Sequence, residues 1–263
     1  MRHWIMALAF AVLPMAALAQ DSGLKSLNTT DAGRAWMAVG RLDINGAGFC
    51  TGTLIAPALV LTAAHCLFDK ETGQQIDLSQ VEFLAAWRFG QASAYRAARQ
   101  AVIHPDYEFT NRGSSDGLWA DIALIELWQP IRNTSVIPFE TGNRPARGEE
   151  VGVVSYAQDR ADAPSLQEVC SIMTRRGDVM VMSCDVEFGS SGAPVFSFEG
   201  ERPRIVSVVS AKAEYNGKRV AVGAPVEGAL PLLHAELLAG RGFRAATPQG
   251  GADRNIGARF IKP

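Results

Sequence analysis

A histidine, an aspartate and a serine stand in three local contexts that could cooperate in nucleophilic chemistry. His65 sits beside Cys66 just after the apolar run Leu59-Val60-Leu61-Thr62. Asp121 opens the strand-like stretch Asp121-Ile122-Ala123-Leu124-Ile125-Glu126-Leu127, and Ser191 lies inside Gly189-Ser190-Ser191-Gly192-Ala193-Pro194. A serine hydroxyl is a weak nucleophile until a base takes its proton during attack. Histidine suits that role near neutral pH, while a buried carboxylate can hold its tautomer and stabilise the imidazolium that forms. Glycines around Ser191 let the backbone turn tightly and expose the hydroxyl. The competing side chains are less well placed. His3 falls in the N-terminal apolar segment, His234 in a helical pattern, and His104 in His104-Pro105-Asp106-Tyr107. Neither Asp106 nor Asp116 is followed by such an apolar strand, and Ser190 is the neighbouring hydroxyl.

The elements that must carry these residues read as short strands between turns. Residues 35–42, 48–56 and 59–62 alternate or run apolar, with Asn45-Gly46 as a hairpin signal, and 81–87, 95–103 and 122–127 continue the pattern. A Pro/Gly/Arg-rich stretch, 138–148, divides these from a second set at 150–156, 166–173, 179–184, 194–198, 205–211 and 220–225. Many short strands separated by turns indicate an all-β barrel or sandwich. Leucines at helical spacing over 230–238, followed by Gly240, predict a short C-terminal helix, and the Gly/Pro/Arg-rich tail 241–263 reads as flexible.

Together these three contexts resemble the trypsin/chymotrypsin-like serine protease family, from Trp36 to about Gly240. Gly52-Thr53-Leu54-Ile55 through Leu61-Thr62-Ala63-Ala64-His65-Cys66 is similar to the family's histidine signature, and Asp121–Leu127 to its acid segment. The resemblance implies two six-stranded β-barrels, over 36–138 and 139–240, with the active site in the cleft between them. It implies a serine endopeptidase acting through an acyl-enzyme, with His65 as general base, Asp121 as orienting carboxylate and Ser191 as nucleophile. The N–H groups of Gly189 and Ser191 would form the oxyanion hole. Asp185, six residues before Ser191, stands by this resemblance where trypsin has its pocket-floor acid, which implies either a preference for Arg or Lys before the scissile bond or a structural role. Ser210-Ala211-Lys212 resembles the segment that pairs with substrate backbone and forms a pocket wall, with Lys212 where a glycine is common. That cation could neutralise Asp185, obstruct the pocket or favour an acidic substrate side chain.

Two departures from the family pattern bear on how the site is set up. Ser190 replaces the familiar Asp before the nucleophile, and no Ile-Val-Gly-Gly-like start precedes Trp36. A site formed without cleavage-triggered insertion is therefore expected, as in bacterial branches such as the glutamyl endopeptidase group. Ala193 also stands in place of a glycine. A catalytically silent binding protein on this fold is the alternative reading, motivated by Ser190 and Lys212. A third is a latent protease whose segment 20–34 or tail blocks the cleft.

Composition agrees with an exported enzyme and narrows the partners. Arg2, an apolar core over 5–13 and Ala17-Leu18-Ala19 read as a signal peptide over 1–19, followed by an N-terminal segment 20–35. The destination is the periplasm or the medium. A net charge of -2 gives no electrostatic case for nucleic acid or for a membrane after leader removal. The expected partner is a polypeptide substrate, with the chain as a monomer. Four cysteines in an exported chain suggest two disulfides; three pairings are open, and local pairing, Cys50 with Cys66 and Cys170 with Cys184, is expected. Zinc lacks a second histidine at ligand spacing, so no metal and no organic cofactor is expected.

Overall fold

The structure, a computed structural model, describes residues 23–109 and 117–246. The leader expected over 1–19 and the tail beyond 246 lie outside the described residues. Six strands form the first barrel: β2 (Val39–Ile44), β3 (Gly48–Ala56), β4 (Leu59–Thr62), β5 (Val81–Ala85), β6 (Ala94–Ile103) and β7 (Ala123–Leu127). They run in the order β6-β5-β2-β3-β4-β7, and β6 pairs again with β7 to close the ring. The second barrel comprises β8 (Glu150–Ala157), β9 (Arg160–Arg176), β10 (Val179–Met182), β11 (Pro194–Ser197), β12 (Arg204–Tyr215) and β13 (Lys218–Pro225). Its order is β9-β10-β13-β12-β11-β8, closed by β8 on β9. Closure satisfies the edge N–H and C=O groups that an open sheet would expose. The all-β, two-barrel reading holds, with the expected C-terminal helix at Ala229–Leu238.

Period-two alternation divides the apolar residues between two cores. On β8, Val151 and Val153 face the second barrel's interior, while Val154 and Tyr156 join the core of the first. On β11, Val195 and Phe196 divide the same way. The first core thus extends across the seam between the barrels. Trp36 and Phe139 close on Phe196 there, at 5.0 Å and 4.7 Å between ring centroids. The hairpin signal is used as expected: Asn45 and Gly46 take positive φ, 51° and 67°, between β2 and β3.

Two short strands were not legible beforehand. In the N-terminal segment, β1 (Leu24–Ser26) adds to β9 of the second barrel, and Leu27 is buried. At the other end, β14 (Phe243–Arg244) pairs with β6, and Gln100 donates to Arg241 O at 3.0 Å. Arg241, Phe243, Arg244 and Ala245, at the start of the stretch read as a tail, thus hydrogen-bond or pair with β6. A two-residue strand is too short to show alternation, so no sequence pattern announces it. Both disulfides, Cys50–Cys66 and Cys170–Cys184, follow the local pairing.

Candidate active site

His65 and Asp121 meet because of strand register. β4 and β7 are antiparallel with Thr62 opposite Ala123, so the residues just beyond Thr62 and just before Ala123 emerge at one end of the ladder. His65 follows in a 3-10 turn, Ala64–Leu67, which Cys66 ties back to β3. Asp121 ends another 3-10 turn, Leu118–Ala120. Its carboxylate, in a residue only 2% exposed, accepts from His65 N–H at 2.8 Å and lies 2.7 Å from His65 Nδ1. An ionised carboxylate can only accept, so Nδ1 carries the proton and Nε2 keeps its lone pair. The imidazole side chain is one-fifth exposed.

A third donor to Asp121 comes from the other barrel. Ser210 Oγ donates to Asp121 Oδ2. Register in the β12–β13 ladder shifts between Val209 and Ala211, so Ser210 occupies a bulge. A bulge re-aims a side chain, and here the hydroxyl crosses the seam. Ser210 was expected only as part of the substrate-binding segment.

Ser191 is presented by a turn that glycine alone can form. Gly189 has φ +96°, and a Cβ there would lie 2.4 Å from the Phe49 ring. A Cβ on Gly192, at φ +78°, would lie 2.2 Å from Thr62 Oγ1 and 2.3 Å from Thr51 O. The Gly189–Gly192 turn is thus pressed against the strands that lead to His65, and Thr51 N–H donates to Ser191 O at 2.8 Å. Among the described residues Ser191 Oγ makes no hydrogen bond. Unliganded sites often leave such pairs long until substrate arrives.

The two N–H groups expected to face an oxyanion are unpartnered, and their directions follow from their peptide planes. Phe188 O accepts from Gln158 N–H at 2.6 Å, and Ser190 O from Ala193 N–H at 3.0 Å. In a trans peptide the N–H points opposite to the carbonyl. The N–H groups of Gly189 and Ser191 therefore point away from those partners, and neither donates to another described residue. Ser190 itself is buried, with Oγ 3.2 Å from Ser155 Oγ and 3.3 Å from Tyr156 O. It also accepts from Glu187 N–H. This neutral hydroxyl is satisfied internally.

The expected pocket residues divide. Asp185 is half-buried, its N–H donates to Gln167 Oε1 at 2.7 Å, and it lines a cavity of about 610 Å³ with Leu24, Glu187, Phe188 and Arg219. Lys212 does not neutralise it. Lys212 Nζ instead donates to Glu187 Oε2 at 2.8 Å and lies 4.0 Å from the centre of the Phe188 ring. That hydrogen bond holds the Glu187 carboxyl below its ordinary range. Sequence reasoning missed Glu187, Thr51, Ser155 and Gln158, because each acts through a contact distant along the chain.

Two closed barrels with this constellation at their seam have the architecture of a double-barrel serine hydrolase. Residues 50–202, more than half of the chain, match the trypsin-like peptidase domain, and the chain belongs to that family. It is 26% identical over 171 residues to glutamyl endopeptidase of Bacillus licheniformis, covering 65% of this chain and 52% of that one. Serine protease 23 of Rattus norvegicus is 26% identical over 173 residues, covering 59% and 44%. The chain thus spans about half the length of these relatives. A solved Glu endopeptidase in complex with MPD superposes with a TM-score of 0.68 at 19% identity, over 85% of this chain and all of that one. A thermostable serine protease, AL20, from an extremophilic microorganism gives 0.60 at 19% identity, over 76% and 97%. These two likenesses concern the fold.

Proposed function

We propose that the protein is an exported serine endopeptidase that hydrolyses peptide bonds through an acyl-enzyme on Ser191. His65 Nε2 takes the Ser191 proton as Oγ attacks the scissile carbonyl, and later returns it to the leaving amine. Asp121 holds the Nδ1–H tautomer and stabilises the imidazolium. The N–H groups of Gly189 and Ser191 receive the developing oxyanion, an interaction whose loss typically lowers rate about 10²–10³-fold per donor. Water, activated by the same histidine, then releases the acyl group. The observation that carries this reading is the doubly hydrogen-bonded His65–Asp121 pair, whose second ring nitrogen makes no hydrogen bond among the described residues.

Two disulfides support an oxidising compartment, the periplasm or the medium. Incubation of the purified protein with a random peptide library, read by mass spectrometry, tests the activity. The expected result is internal cleavage that disappears in Ser191→Ala. Equal cleavage by that variant would overturn the assignment. The same experiment reads the residue before the cut, where Asp185, Arg219 and the Lys212–Glu187 pair are among the charged groups at hand.

A further inference from the structure

We propose that Thr51 is a positioning residue that aims the oxyanion donor of Gly189, an inference that rests on the catalytic reading of Ser191 given above. Gly189 is the softest point of the nucleophile turn, since a residue without Cβ can rotate about both of its backbone bonds. Its donor is useful only if the peptides on either side are held. One is held by Gln158 N–H on Phe188 O. The other is held by Thr51, whose Oγ1 donates to Gly189 O at 2.9 Å.

Every polar group of Thr51 takes part. Its Oγ1 also accepts from Tyr156 N–H at 3.0 Å, its N–H donates to Ser191 O at 2.8 Å, and its carbonyl accepts from Thr62 Oγ1 at 3.0 Å. The residue is fully buried on β3, in the first barrel. Gly189, Ser191 and Tyr156 all belong to the second. A single side chain thus ties the carbonyl of Gly189 to the strand that runs beside the His65 turn. Its β-branch restricts χ1, so the hydroxyl is pre-aimed rather than searching. The clamp contains no ionisable group, so it does not titrate with the medium.

The test compares Thr51→Val, which keeps shape and removes the hydroxyl, with Thr51→Ser, which keeps the hydroxyl. Thr53→Val serves as the matched control: Thr53 is also buried on β3, but its hydroxyl goes to Ala38 O within the first barrel, at 3.4 Å. Turnover of p-nitrophenyl acetate gives kcat and KM, and its burst counts functional sites. Thr51→Val is expected to lose about 10–10² in kcat, below the full loss of an oxyanion donor, with KM little changed. Thr51→Ser should recover most of that loss, and Thr53→Val should lower the thermal midpoint yet keep kcat.

A folded Thr51→Val with wild-type kcat overturns the proposal. So does a loss that Thr51→Ser does not restore, or one that Thr53→Val shares. Should valine not fold, Thr51→Ala, which leaves space for water beside Tyr156 N–H, carries the same comparison. If the wild-type protein itself gives no burst, the catalytic reading of Ser191 fails first. A wild-type burst with unaltered Thr51→Val turnover removes only the role of Thr51.

Discussion

In the proposed mechanism the chemistry is balanced on Asp121, where three donors converge on one buried carboxylate. Replacing it with asparagine keeps size but offers an amide that favours the wrong imidazole tautomer. Asp121→Asn should lower kcat by about 10⁴ with little change in KM, read by steady-state kinetics; a loss under tenfold would contradict its role. Ser210→Ala removes one hydrogen bond to a charged group, a contribution of about 1.5–3 kcal/mol. A fall in kcat of roughly one to two orders of magnitude is expected if that bond acts on the catalytic state. His65, Asp121 and Ser191 stand out as candidates in the sequence because each has a local signature of neighbours. The partner of Lys212 does not. The candidate acid read from sequence was Asp185, but three-dimensional proximity selects Glu187.

At the scale of elements, ladder register does the positioning. The Thr62–Ala123 pairing brings His65 and Asp121 to one strand end, and the bulge at Ser210 turns its hydroxyl toward Asp121. Most strands were legible from alternation and turns; the bulge was not, because one extra residue leaves the apolar pattern almost intact. The loop before Asp121 carries a pH-sensitive element. His104 is 3% exposed, packs against the Trp119 ring at 5.0 Å and accepts from Asp106 N–H through Nδ1. Burial holds its pKa below the ordinary 6.5, with Asp106 acting weakly the other way. As pH falls past about 6.5 the unfolded chain takes up the proton first, so stability declines from there until the folded ring also protonates. His104→Asn, whose side-chain oxygen can replace Nδ1 as acceptor, should flatten the thermal midpoint between pH 6.5 and 5. An unchanged slope would contradict the assignment. Replacing Cys170 and Cys184 together by serine should lower stability by roughly 3 kcal/mol for a loop of this length, measured by urea unfolding.

For the whole molecule, function depends on two barrels holding one geometry. The chain-wide pattern of two strand sets around 138–148 made the double architecture legible, but not the seam. Trp36, Phe139 and Phe196 come from segments far apart in sequence, and their tilted and edge-on ring contacts depend on β11 facing the first barrel. Phe196→Ala should lower stability by about 3–5 kcal/mol. Activity measured well below its melting point should fall as well, because the Gly189–Gly192 turn leads directly into the strand that carries Phe196; full activity there would show the barrels to be aligned by other contacts. The most direct measurement is reaction with a fluorophosphonate probe followed by peptide mapping. Wild type should carry the adduct on Ser191, and His65→Ala should label at least a hundredfold more slowly, given a general-base contribution of about 10²–10⁴. A folded protein that stays unlabelled, or one labelled equally fast without His65, would contradict a seam-built triad.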